Sequence, residues 1–246
     1  MWDMVVVYAV LAVVGILAIA GAVWSLVRPP NTISGWRLAP ALETPPKTIP
    51  WNRRILMTYH DLRRVPDKVT QGLDRYAPTH HIRMFNDRDC VEYLRRHYGE
   101  AYVRKFYAIE GGAHRADLWR YAILYREGGV YMDIKTKLMQ PLLTLFPRTD
   151  VATTVISVNK DGDRDGSCYQ GILAVPPRHP VMGEALKQIM ATEPAAMVER
   201  YGIITEQLLF IIRDMYPRVG PWGATGGSLV PWRFFREEEV PCVGGF

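Results

Sequence analysis

The chain has 246 residues, 48% of them apolar and 11% aromatic, with 30 Lys and Arg against 25 Asp and Glu. That is enough apolar material for a packed core, which excludes wholesale disorder; the 20 Gly and 18 Pro follow no triplet period, which excludes a collagen-like rod. Cys90, Cys168 and Cys242 form no Cys-x-x-Cys pair, which argues against a disulfide scaffold or cysteine zinc site, and a net charge of +5 spread evenly makes no nucleic-acid arm.

The first element in chain order is apolar. No charged side chain occurs between Met4 and Val27. At about 1.5 Å per residue this run makes a helix of roughly 36 Å, long enough to cross a hydrocarbon layer with some tilt. Trp2 and Trp24 lie near its ends, where amphipathic rings favour the interface. Ala18-Ile19-Ala20 and Ala20-Gly21-Ala22 have the form of signal-peptide cleavage sites, but the preceding stretch carries Asp3 and no Lys or Arg. A membrane anchor over 4–27 is therefore expected. Arg28, Arg37, Lys47, Arg53 and Arg54 follow it, and the positive-inside bias then puts the C-terminal domain on the cytosolic side. Pro29, Pro30, Pro40, Pro45, Pro46 and Pro50 lack amide donors and fix φ, so 28–50 reads as a semi-extended stalk. Residues 51–246 are the size of one domain.

Within that domain strands alternate with helices. Arg54–Tyr59 and His81–Phe85 read as strands, with a charged, turn-rich stretch between them. Asn86 or Asp87 caps a helix to Tyr98 that Gly99 ends, and a short helix spans Glu100 to Tyr107. A longer helix, about Ala113 to Glu127, stops at Gly128-Gly129, and Val130–Met132 reads as a strand running into Asp133. Val151–Val158 and Gly171–Val175 are β-rich, while Pro180–Met190 and Thr205–Met215 have helical patterning. The pattern predicts an α/β sheet with parallel strands, which binds ligands beyond the carboxyl ends of its strands.

Residues 113–138 lie at such an end. Asp117, Arg120, Tyr121 and Leu124 follow i, i+3, i+4, i+7 spacing and share a helix face. As a bare pattern Asp117 and Arg120 make a surface ion pair, but a solvent face would carry fewer side chains like Tyr121 and Leu124. Asp133, at the exit of an apolar strand, can accept from a ribose hydroxyl or approach a hard metal.

This segment resembles the sugar-nucleotide-binding region of family 32 glycosyltransferases. The match runs through Ala116-Asp117, Arg120-Tyr121, Leu124-Tyr125, Gly128-Gly129 and Val130-Tyr131-Met132-Asp133, with weaker likeness from about 49 to 190. The resemblance implies a single GT-A domain, a Rossmann-like nucleotide-diphospho-sugar transferase fold, here preceded by one transmembrane helix. It also implies a UDP- or GDP-sugar donor, a glycan or lipid acceptor, retention of anomeric configuration and a Golgi or ER lumenal setting. It makes Asp117 and Arg120 contacts of the donor sugar and diphosphate, with Tyr121 and Gly129 part of the same motif. Tyr59 becomes a candidate wall for the base. Asp133 becomes the first acid of an Asp-x-Asp motif that holds Mn²⁺ or Mg²⁺.

Lys135 stands where that motif has its second Asp, followed by Lys137, and a cation cannot ligate a metal. Either Asp133 holds the metal with help from another residue, or Lys135 itself neutralises the charge developing on the diphosphate. Retained metal is the favoured expectation.

Other acid pairs carry less. Asp87-Arg88-Asp89 marks a helix start. Asp161-Gly-Asp163-Arg-Asp165-Gly166 begins like a calcium loop but has Ile172 where Glu is required, which leaves a polar turn able to lend one acid to the metal. His60, His80 and His81 read as solvated or packing residues. The expected function is a membrane-anchored glycosyltransferase. A degenerate nucleotide-sugar or glycan-binding protein is the alternative. A phosphohydrolase using Asp133 ranks below both, because Lys occupies positions 135 and 137.

Overall fold

A computed structural model describes residues 38–158, 164–216 and 232–236, with only the backbone described at 157–158, 164–167 and 233–236. The expected anchor over 4–27, the start of the stalk, Asp161, Asp163 and Cys242 lie outside the described residues. Among the described residues no helix is long and apolar enough to cross a membrane.

Local signals set most element ends. Strand β1 covers Arg54–Thr58, and a helix not expected from the sequence, α1, covers Asp67–Tyr76. Strand β2 is His81–Phe85. Helix α2, Asp87–Tyr98, opens on a capping box: Asn86 Oδ1 accepts from the Asp89 amide, and Asp89 Oδ2 accepts from the Asn86 amide. Asp89 is thus a capping acid. Gly99, at φ 84°, ends α2 and starts α3, Glu100–Ala108. Helix α4, Gly112–Glu127, ends at Gly128 with φ 65°; a Cβ there would lie 2.5 Å from the Pro177 nitrogen. Strand β3 is Gly129–Met132, and α5 is a single turn, Leu142–Leu145. Strands β4, Ala152–Val158, and β5, Arg164–Val175, precede helices α6, Pro180–Ala191, α7, Pro194–Glu199, and α8, Ile203–Met215. Strand β6 is Trp232–Arg236.

The strands form one sheet in the order β2-β1-β3-β5-β4-β6. β1 is parallel to β2 and β3, but β5 is antiparallel to both β3 and β4. The expectation of parallel strands is therefore corrected: the sheet is mixed. The register of β5 shifts between Thr154 and Val155, leaving Gln170, Gly171 and Ile172 as extra residues opposite β4.

Period-2 alternation sorts the strand residues between two faces. Leu56, Phe85, Tyr131, Leu173 and Val175 join the core cluster with α2, α3, α4, α6 and α8. Met57 and Met132 point the other way, toward Val69 and Leu73 of α1.

The stalk boundary also moves. Residues 38–50 lie against the domain: Leu38 bridges to Ile82 on β2, the Ala39 amide donates to Ile82 O at 3.0 Å, and Ala41 is in the core. Two arginine side chains satisfy backbone carbonyls of this stretch. Arg83 Nη1 donates to Glu43 O at 2.9 Å and to Ala41 O at 3.3 Å, and Arg54 donates to Ile49 O and to Glu127 O. The buried Arg83 guanidinium pairs with Glu127, whose other oxygen accepts from Tyr93 at 2.7 Å.

Candidate functional site

The site forms where β1 and β3 end side by side. Asp133 follows the last residue of β3, its amide donating to Gly171 O at 2.9 Å. Thr136 closes the next turn, its amide donating to Asp133 O at 2.9 Å and its hydroxyl to Gly171 O at 3.0 Å. Asp133 is thereby fixed at the carboxyl edge of the sheet, where its side chain is 41% exposed. Tyr131, two residues earlier, faces the same way, so its hydroxyl donates to Asp133 Oδ1 at 2.6 Å.

Helix α4 supplies the positive charge. Arg120 Nη2 lies 3.3 Å from Asp117 Oδ1, 3.6 Å from Asp133 Oδ1 and 3.2 Å from the Tyr131 hydroxyl, to which it donates. Its Nη1 donates to Gln170 O at 2.5 Å and to Gln170 Oε1 at 3.2 Å, and its Cζ stands 4.0 Å from the Tyr131 ring centroid. Asp117 and Arg120 are both buried, so the surface-pair reading does not hold. Burial raises the Asp117 carboxyl above its ordinary value, opposed by the Arg120 charge. Burial opposes the Arg120 charge too, but Tyr131, Asp117 and Asp133 together hold the guanidinium above its ordinary value. Burial likewise keeps the Tyr131 hydroxyl protonated far above the usual phenol range.

The other expected residues divide. Tyr59 is half-buried at the exit of β1, its amide on Phe85 O and its ring 4.4 Å from that of His60. It neighbours Thr58, whose Oγ1 is 3.5 Å from the Tyr131 hydroxyl, so it belongs to this edge. Tyr121 is buried away from the opening and accepts from Gln170 Nε2 at 2.5 Å, holding the residue that holds Arg120. Gly129 stands at the far end of β3, roughly 13 Å of strand from Asp133. Its φ of 144° and a Cβ position 3.0 Å from Leu56 Cδ1 explain the glycine by packing on β1, a correction to its grouping with the donor contacts. Lys135 is exposed and lines a cavity on the opposite, α1-facing side of the sheet.

Sequence reasoning missed Tyr131, Gln170 and Thr58 as members of the cluster. Tyr131 was findable, since alternation along β3 aligns it with Asp133. Gln170 lies fifty residues from Arg120 with no local signal. Among the described residues no group of three His, Cys, Asp or Glu could hold a metal. His80 is buried, and burial pushes its imidazole down to about 4. Cys90 and Cys168 are buried.

Residues 66–152 match the family described as the glycosyltransferase sugar-binding region containing DXD motif. A solved structure titled "PaToxG Glycosyltransferase" is similar at 13% identity, over 69% of this chain and 70% of that one, with a TM-score of 0.46. No curated protein matches the sequence. The family match runs from α1 to the first residue of β4 and contains Asp117, Arg120, Tyr131 and Asp133. The chain thus carries a glycosyltransferase region, and its activity is of the glycosyltransferase class.

Proposed function

We propose that the chain moves a sugar from a UDP- or GDP-sugar to a glycan or lipid acceptor, with retention of configuration, on a GT-A-type domain held at a membrane by residues 4–27. The observation that carries this reading is the Arg120 guanidinium, gathered between Asp117, Asp133 and the Tyr131 hydroxyl at the carboxyl edge of the sheet. In this reading Asp117 and Arg120 hold the donor sugar, and Gln170 and Tyr131 hold Arg120 in place. Asp133 faces the diphosphate, and Tyr59 walls the base.

One guanidinium between two carboxyls leaves the cluster short of positive charge for a diphosphate. Asp133 Oδ1 is taken by Tyr131, while Oδ2 has no partner among the described residues. One carboxylate oxygen suits Mg²⁺ or Mn²⁺ held otherwise by phosphate oxygens and water, so the residues present fit a metal borne jointly with the donor. Bound there, it would neutralise charge on the leaving diphosphate. Lys135 in the second acid position favours the second reading, a protein that binds a nucleotide sugar without turning it over.

The test is a screen of UDP- and GDP-sugars for hydrolysis or transfer by the full chain. Turnover from one donor, lost in Asp133→Asn with the fold intact, supports the reading; an unchanged rate in that variant overturns it. Full activity in EDTA removes the metal, and calorimetric UDP or GDP binding without turnover selects the second reading. Charge bias favours a cytosolic domain and the family resemblance a Golgi or ER lumenal one; protease protection of a tagged C-terminus distinguishes them.

A further inference from the structure

On the face of the sheet opposite Arg120, a cavity of about 230 Å³ opens between α1 and the loop after Asp133. Its walls are apolar, from Met57, Val69, Leu73, Met132 and Leu138. Its rim is cationic: Lys68, Lys135 and Lys137 all line it, and all are exposed. The volume exceeds the roughly 150 Å³ in which an apolar cavity accommodates benzene.

Gly72 forms part of the lining, in the interior of α1. A helix-interior glycine destabilises relative to alanine, and the usual reasons for one are missing. Its φ is not positive, and a Cβ would meet nothing within 4 Å. No neighbour among the described residues therefore requires the glycine. What it does is keep the space over the helix open, which a ligand approaching the backbone would use.

We infer that this cavity is a second ligand site, for an apolar phosphate: a ring or short chain over Gly72 between Met57 and Leu73, its phosphate among Lys68, Lys135 and Lys137. The site is separate from the donor cluster and does not depend on the donor assignment. A lipid phosphate and a soluble aryl phosphate share the required chemistry.

The full chain in neutral detergent is titrated calorimetrically with butyl phosphate, phenyl phosphate, inorganic phosphate and 1-butanol. At least one organic phosphate is expected to bind roughly tenfold tighter than inorganic phosphate or butanol, and to weaken by roughly tenfold or more in Gly72→Leu. Lys137→Gln is expected to weaken it about threefold, with a shallower salt dependence. Preference for butyl phosphate assigns a lipid source, and preference for phenyl phosphate a soluble aromatic one. The inference is overturned if neither organic phosphate binds, if inorganic phosphate binds equally well, or if folded Gly72→Leu binds like the parent. Should Gly72→Leu fail to fold, Gly72→Ala and Lys137→Gln carry the test, and parent-like binding in both overturns it.

Discussion

The Tyr131 hydroxyl donates to Asp133 Oδ1 across 2.6 Å while accepting from Arg120 at 3.2 Å. One phenol therefore orients the half-exposed carboxylate and anchors the buried guanidinium. Tyr131→Phe keeps the ring against Arg120 and Trp119 but releases Asp133. Losing a hydrogen bond to a charged group is worth about 1.5–3 kcal/mol, so kcat/KM should fall roughly 10- to 100-fold, with Tm also lowered because the buried Arg120 Nη2 loses its acceptor. A rate within twofold of the parent would show that Asp133 needs no such orientation.

The Arg83–Glu127 pair ties residues 38–50 to the sheet. Glu127→Gln leaves the Arg83 charge buried without its counter-charge and weakens the Tyr93 contact. Denaturant unfolding should show a loss of about 3–5 kcal/mol. Amide exchange at Ala39, Glu43 and Ile49 should accelerate before exchange in α4 does.

His80 gives acid sensitivity with a defined sign. Its imidazole stays neutral in the fold down to about 4, whereas in the unfolded chain it protonates near 6.5. Between those values the unfolded chain binds more protons, so stability present above pH 6.5 drains away as pH falls toward 4. His80→Leu should lose this part of the acid limb, gaining on the parent by up to about 3 kcal/mol at pH 4 relative to pH 7. Parallel pH profiles for the two proteins would rule it out.

Gly128 turns the chain from α4 into β3 at φ 65°, with Pro177 packed where a Cβ would stand. Gly128→Ala should cost about 2 kcal/mol or more from strain and contact together. Chemical denaturation reads this directly. Gly72→Ala, in open space on α1, should leave stability equal or higher.

Elements with their own stop signals were legible in the sequence. Asn86, Gly99, Gly128 and the apolar run into Asp133 act within a turn or two of chain, so α2, α4 and β3 emerge nearly to the residue. Helix α1 was not legible, because Asp67–Tyr76 carries Gly72 and only Val69 and Leu73 as a sparse buried apolar pair, and its helicity depends on burying that pair in the fold. The return of 38–50 was hidden for a similar reason, since its carbonyls are satisfied by Arg54 and Arg83, the latter some forty residues on.

By itself the sequence determined that Asp117 and Arg120 share a helix face and that Asp133 ends a strand, because helix and strand periodicities are local and fix each side chain's direction within its element. Only the tertiary structure decided that Arg120 is the buried centre of the cluster, that Tyr131 and Gln170 complete it, and that Lys135 looks to the other face. Those outcomes depend on β5 returning antiparallel beside β3 and on α4 crossing over Tyr131, and contacts between segments so far apart in the chain are set by packing.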